Sequence, residues 1–179
     1  MLSPDDYFTA GSLTQFVSID LVVQHQGKTL MGLRQNKPAK DTWFVPGGKT
    51  YKGQTLLQNF ATITEKEFNH RLEWREPLIA SPTPVPYSCH FLGVFEHQYD
   101  DNFRDNSYGT HYVVITMLVD IKDADLAARL AQGAQDVDQH RLSLWMSRER
   151  ILSDPLVHKY NKYYFSPGAP NCLFRTRVL

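Results

Sequence analysis

Glu67 is a carboxylate on the apolar side of a helix. The segment Thr55–Asn69 follows the run Trp43-Phe44-Val45-Pro46-Gly47-Gly48 and reads as helical. At about 100° per residue, Leu56, Phe60 and Ile63 form one apolar stripe. Glu67 falls close to the centre line of that stripe, whereas Glu65 projects from the opposite, solvated side. A carboxylate aimed at a core is costly unless it is paired or binds a metal. Glu67 is therefore expected to serve a cation; the bland alternative is an arginine partner or escape to solvent near the helix end. Gly47 and Gly48, just before the helix, free the backbone to approach a ligand and to turn a carbonyl toward a cation.

The elements that must position these groups follow from pattern. Ser3-Pro4-Asp5-Asp6 opens a short helix that ends by Gly11. Phe16–Val23 and Thr29–Arg34 are strand-like and joined near Gln26-Gly27, which predicts a hairpin. Trp43–Val45 is a short strand, followed by the Pro-Gly-Gly turn and the Thr55–Asn69 helix. The proline-dense stretch Ser81–Pro86, within an insertion spanning about 76–90, is an extended loop. Phe91–Tyr99 and His111–Val119 are strands flanking the polar loop Asp100–Gly109. Lys122–Leu130 is a short helix and Ser143–Met146 a last strand. Ser153-Asp154-Pro155 opens a C-terminal helix through about Phe165, and 166–179 is an irregular tail. This order predicts one α+β or layered α/β domain over 1–179 with a mixed sheet.

Bulk properties exclude several classes. With 179 residues, 42% hydrophobic, the chain suits one well-buried domain. Its zero formal charge gives no electrostatic footprint for nucleic acid, and no basic helix suggests a membrane surface. Cys89 and Cys172 are too few and too far apart for a disulfide framework or zinc site. The first residues lack a basic start and an apolar stretch, and no run approaches a spanning length, so a cytoplasmic protein is the expectation.

The Gly-Gly turn leading into a helix with an inward glutamate resembles the Nudix box, G-x5-E-x7-R-E-U-x-E-E-x-G-U, where U is a bulky apolar residue. Counting from Gly48, the chain has Gln54, Thr62, Ile63, Thr64, Lys66 and Asn69 where the box has Glu, Arg, Glu, apolar, Glu and Gly. Glu67 alone survives among the box carboxylates. Further co-linear blocks are similar to the GDP-mannose mannosyl hydrolase branch of the Nudix hydrolases. They include Val17-Ser18-Ile19-Asp20, Gly32–Ala39, Trp43–Gly48, Gly93–His97, Tyr99–Phe103, Thr110–Val114 and Gln139-His140 before Trp145, and together they cover about Tyr7 to Phe165.

The resemblance implies an α/β/α sandwich that hydrolyses the sugar–phosphate C–O bond of GDP-mannose or GDP-glucose, with inversion. It implies one magnesium ion on Gly47, Glu67 and Gln139, and His140 as general base. Asp20, Arg34, Lys49, His97 and Tyr112 are implied near the substrate or its diphosphate. Lys49 stands where the branch has an arginine; it keeps the charge but not the fork. The branch is usually a homodimer whose N-terminal segment, here Tyr7 and Phe8, reaches the partner's site. One glutamate, completed by neutral oxygens and phosphates, is magnesium's habit, and a neutral histidine can take a proton from attacking water. Structural roles stay open for the polar residues: a hydrogen bond for Asp20, a satisfied rim position for His97, a core position for Tyr112. A silent nucleotide-sugar binder and a diphosphatase of another nucleoside diphosphate compound are the rival functions.

Overall fold

The computed structural model describes residues 3–75, 85–134 and 140–176. Gln139 and most of the proline-dense stretch lie outside the described residues. Helix α1, Pro4–Leu13, starts as read, with the Ser3 side chain accepting the Asp6 N–H, and runs two residues past Gly11. Strands β1, Phe16–His25, and β2, Lys28–Arg34, form the hairpin, with Gln26 and Gly27 at φ 49° and 73°. These left-handed values fit a tight two-residue turn.

β1 and β2 pair at their hairpin ends, Gln24 with Thr29 and His25 with Lys28, and then diverge. The segment Trp43–Lys49 crosses the resulting fork. Its first leg, β3 (Trp43–Phe44), pairs with β2, and its second, β4 (Gly47–Lys49), pairs with β1. The residues read as a Pro-Gly-Gly turn are thus partly a strand, because β1 offers them an open edge along Ser18–Asp20.

Helix α2, Leu56–Phe68, is capped reciprocally by Thr55 and Gln58 and ends at Asn69 in the left-handed region, φ 50°. Strands β5 (Tyr87–Gln98) and β6 (His111–Ile121) pair antiparallel, and β6 runs parallel to β1. Helix α3, Ala124–Gly133, precedes β7, His140–Ser147, which pairs with β2. The sheet is therefore mixed, and each face carries a core. Ile19, Leu21 and Val23 pack with Phe60, Ile63, Leu126 and Leu130 of α2 and α3. Val22, Phe95 and Val114 pack on the other face with Ile151, Tyr160 and Tyr164. The alternation of β1 between the two cores is the period-two signature of a strand buried on both sides. An α/β/α sandwich results, as expected.

Three readings of the chain need correction. The C-terminal helix does not begin at Ser153. Ser147 caps α4, Arg148–Ser153, and Asp154, extended before Pro155, ends it. A separate α5, Lys159–Tyr164, is capped by His158. The tail at 166–179 is not wholly irregular, since Cys172–Arg175 forms β8 on the free edge of β5. Leu56 is 45% exposed, because the first turn of α2 projects past the core that Phe60 and Ile63 enter.

Candidate active site

Glu67, His140, Asp20 and Gly47 flank the fork between β1 and β2, while Gln139 lies outside the described residues. Glu67, in the last turn of α2, is 1% exposed. The Nε2 atom of His140 lies 3.3 Å from its Oε2, and His140 is 2% exposed. His140 lies outside the strand read as Ser143–Met146, yet it is the first residue of β7, opposite Arg34 and beside a bulge between Gly32 and Arg34. Its ring lies across Gly32: a Cβ added there would come within 2.3 Å of Nδ1. A carboxylate can only accept, so a neutral His140 must carry its proton on Nε2. Nδ1, the basic nitrogen, has no hydrogen-bond partner among the described residues.

Asp20 and Gly47 form the other lip. They are cross-strand partners in the β1–β4 ladder. Leu21 N–H donates to the Pro46 carbonyl and Thr50 N–H to the Val17 carbonyl, so by antiparallel alternation the Asp20–Gly47 pair is a non-hydrogen-bonded one. The Gly47 carbonyl is therefore turned away from β1. Gly47 must also be side-chain-free here, because a Cβ would lie 2.6 Å from the Ile19 carbonyl and 2.8 Å from Asp20 Oδ1.

Asp20 Oδ2 accepts a 2.5 Å hydrogen bond from the Tyr164 hydroxyl. Burial pushes the Asp20 carboxyl up to about 7; Tyr164 and Arg34 oppose the rise, and the Glu67 charge adds to it. His97 Nε2 lies 3.2 Å from the same Tyr164 hydroxyl, and His97 stacks face to face on Tyr160 at 4.2 Å. Burial, with the nearby His158, drives His97 down to about 3, so its ring is neutral near pH 7.

Arg34 extends from the end of β2. Its Nε donates to the Pro38 carbonyl at 3.0 Å, and its guanidinium lies 5.6 Å from the centre of Phe44. Tyr112 shares a 2.8 Å hydrogen bond with Tyr7. The Lys49 ammonium sits 2.9 Å from the centre of the Tyr7 ring, and burial, then Lys66, lowers it to about 8. Tyr7 of α1 thus contacts the site of its own chain. An open cleft of about 420 Å³, lined in part by Lys37, Tyr99, Asp101 and His158, adjoins this cluster.

Over 126 residues, 69% of the chain and 70% of the relative, the sequence is 32% identical to the low-salt glycan biosynthesis protein Agl8 of Haloferax volcanii. The chain belongs to the Agl8 family. Its fold is that of Nudix hydrolases. A MutT Nudix hydrolase from Burkholderia pseudomallei superposes with a TM-score of 0.55 at 18% identity, covering 83% of this chain and 95% of that one. The MutT protein of Methanosarcina mazei Go1 superposes at 0.51 with 15% identity, over 83% and 88% of the two chains. No protein-family model matches the sequence. No helix among the described residues is long and apolar enough to cross a membrane.

Within this Agl8-family chain, the departures from the Nudix box have structural consequences. Thr62 donates to Gln54 at 3.3 Å, a neutral contact between the two positions where the box has an arginine and a glutamate. Ile63, at a box carboxylate position, is buried and faces Gly48. Lys66, at another, reaches the Tyr51 hydroxyl at 2.5 Å. Among the described residues no three His, Cys, Asp or Glu side chains form a cage for a metal. The donor set present is one buried carboxylate, a second that is electrostatically coupled to it, and a backbone carbonyl the ladder leaves free. That set fits one hard divalent cation completed by water and phosphate oxygens, and not a multi-metal cluster.

Sequence reasoning passed over Tyr164, which is fully buried at the centre of the site's hydrogen bonding. The signal was present: Tyr160 and Tyr164 are spaced i, i+4 in Lys-Tyr-Asn-Lys-Tyr-Tyr and share the inward face of α5. It also passed over the role of Gly32, which only a β2–β7 pairing reveals.

Proposed function

We propose that this protein is a magnesium-dependent hydrolase of a GDP-sugar, releasing GDP and the free sugar from GDP-mannose or GDP-glucose with inversion at the anomeric carbon. The observation that carries this reading is the buried helix carboxylate Glu67 at the base of the fork with the ring of His140 beside it. Cleavage of a P–O–P bond in this fold would draw on the carboxylates that Ile63 and Lys66 replace. The relative's name places it in glycan biosynthesis, which agrees with a nucleotide-sugar substrate.

Glu67, the Gly47 carbonyl and Gln139 would hold the ion, which when bound supplies positive charge to the diphosphate and makes GDP a better leaving group. The chain's own residues do the rest. Arg34 and Lys49 bring positive charge to the phosphates, Arg34 with a bidentate fork. Tyr112 donates to a phosphate oxygen, and Asp20 faces the sugar side, with His97 buried behind it against Tyr160 and Tyr164. His140, with Nε2–H directed to Glu67, takes the proton of the attacking water at Nδ1. The transition state is oxocarbenium-like, and attack from the face opposite the diphosphate inverts the anomeric centre.

A second reading is a silent nucleotide-sugar binder, favoured by one observation: the His140 ring is enclosed by Gly32 and Glu67. Product identification separates the readings. Incubation with GDP-mannose or GDP-glucose and magnesium should release GDP and hexose. GMP plus hexose phosphate would overturn C–O cleavage, and saturable binding without products would establish the silent binder.

A further inference from the structure

Behind Asp20 lies a chain of hydrogen bonds that none of the chemistry above uses. The Tyr164 hydroxyl has one proton, and with Asp20 ionised that proton goes to Oδ2 at 2.5 Å. The Tyr164 oxygen must then accept from His97 Nε2–H at 3.2 Å. This fixes the His97 tautomer and leaves Nδ1 to accept, with the Tyr99 hydroxyl 3.5 Å away. Stacking on Tyr160, with the planes 3° apart, prevents the His97 ring from tilting, and Tyr164 itself is wedged edge-on against Phe95 at 4.9 Å. Three of these groups, Asp20, His97 and Tyr164, are almost wholly buried. The carboxylate is therefore gripped through one oxygen. The other, Oδ1, accepts no hydrogen bond among the described residues and points at the space that Gly47 leaves open.

We propose that Tyr164, oriented by His97, is a positioning residue that spends Asp20 Oδ2 inside the protein so that Oδ1 is presented to a hydroxyl of the bound sugar. The assignment rests on the GDP-sugar reading of the same fork. An unanchored carboxylate would rotate about its side chain and lose the pre-aligned acceptor, the kind of misplacement that costs an enzyme orders of magnitude in rate without loss of affinity for the distant nucleotide. The partner recognised by Oδ1 is a neutral donor, since a second anion there would face the Glu67 and Asp20 charges together.

Tyr164→Phe keeps the ring and deletes the hydrogen bond. It should lower kcat roughly 10- to 100-fold while leaving KM within about threefold and the magnesium titration unchanged. In an Asp20→Asn background the same change should cost less than about threefold, because the carboxylate it positions is gone. His97→Gln, whose amide can still donate to Tyr164, should retain most activity, and His97→Leu should reproduce the Tyr164→Phe loss. Wild-type kcat in Tyr164→Phe, or equal losses in both backgrounds, would overturn the proposal. Nitrogen-15 NMR of the imidazoles gives a readout without turnover: His97 should be neutral with its proton on Nε2, and that resonance should move in Tyr164→Phe. A proton on Nδ1 would overturn the proposal even in an active enzyme. Failure of the wild type to release any product from either GDP-sugar would remove the functional reading while leaving the tautomer result to stand.

Discussion

The basic nitrogen of His140 occupies the space of a side chain that Gly32 does not have. The 2.3 Å separation between Nδ1 and a Cβ built on Gly32 is far inside any tolerable contact. β2 therefore needs glycine at this point for β7 to carry its histidine to Glu67. Gly32→Ala should push the ring off Glu67 and cost about 1–3 kcal/mol through overpacking. Urea denaturation would register the loss, and the His140 ring resonances should shift with it. An unperturbed melt together with unshifted His140 resonances would show that the ring does not rest where the geometry puts it.

His140→Gln tests the base directly. The amide can still donate to Glu67 and fill much of the same volume, yet it has no titratable nitrogen. Turnover should fall by roughly 10²–10⁴ with the circular dichroism melt little changed. An unaltered rate would remove His140 from the mechanism.

Glu67→Gln tests the cation. The substitution keeps an acceptor for His140 but removes the buried charge that a hard ion needs. Half-saturation by magnesium should move at least tenfold upward, with a guide of 10–100-fold from metal sites that lose a supporting group. If the metal titration of the variant overlays that of the wild type, Glu67 is not a ligand.

How much of this was legible in the sequence depended on the length of each element. Helix α2 was readable almost to the residue because Thr55 and Gln58 cap it, Phe60, Ile63 and Glu67 keep its period, and Asn69 stops it. β1 and β2 were readable as a hairpin for a similar reason. The fork was not, because β3 and β4 have two and three residues, too few to display any period, and their partners are chosen by where β1 and β2 part. β8 exists because β5 has a free edge, a long-range fact invisible in Cys172–Arg175 alone. At the C-terminus Ser153, read as the start of a helix, instead closes α4, because Pro155 holds Asp154 extended. Glu67 could be found as a buried acid, while its contact with His140 required the β2–β7 register.

The buried titratable groups also fix how stability must vary with pH. His97 is held near 3 in the fold, against about 6.5 free, and His158 near 4, lowered first by burial and then by Lys159 and Arg34. For both, the unfolded chain binds the proton first, so their contribution is complete above pH 6.5 and is lost as pH falls toward 3–4. Asp20 has the opposite sign: raised from 3.8 to about 7, it contributes below 3.8 and the contribution fades as pH rises to 7. Two histidines against one carboxyl leave a net rise in stability between pH 4.5 and 6.5. Asp20→Asn should steepen that rise, because the opposing proton is removed, and His97→Gln should flatten it. Urea midpoints of the three proteins across this range give the comparison. A slope in His97→Gln equal to that of the wild type would mean that His97 is not held neutral, and its Nδ1 would then carry a proton toward Tyr99 instead of accepting from it.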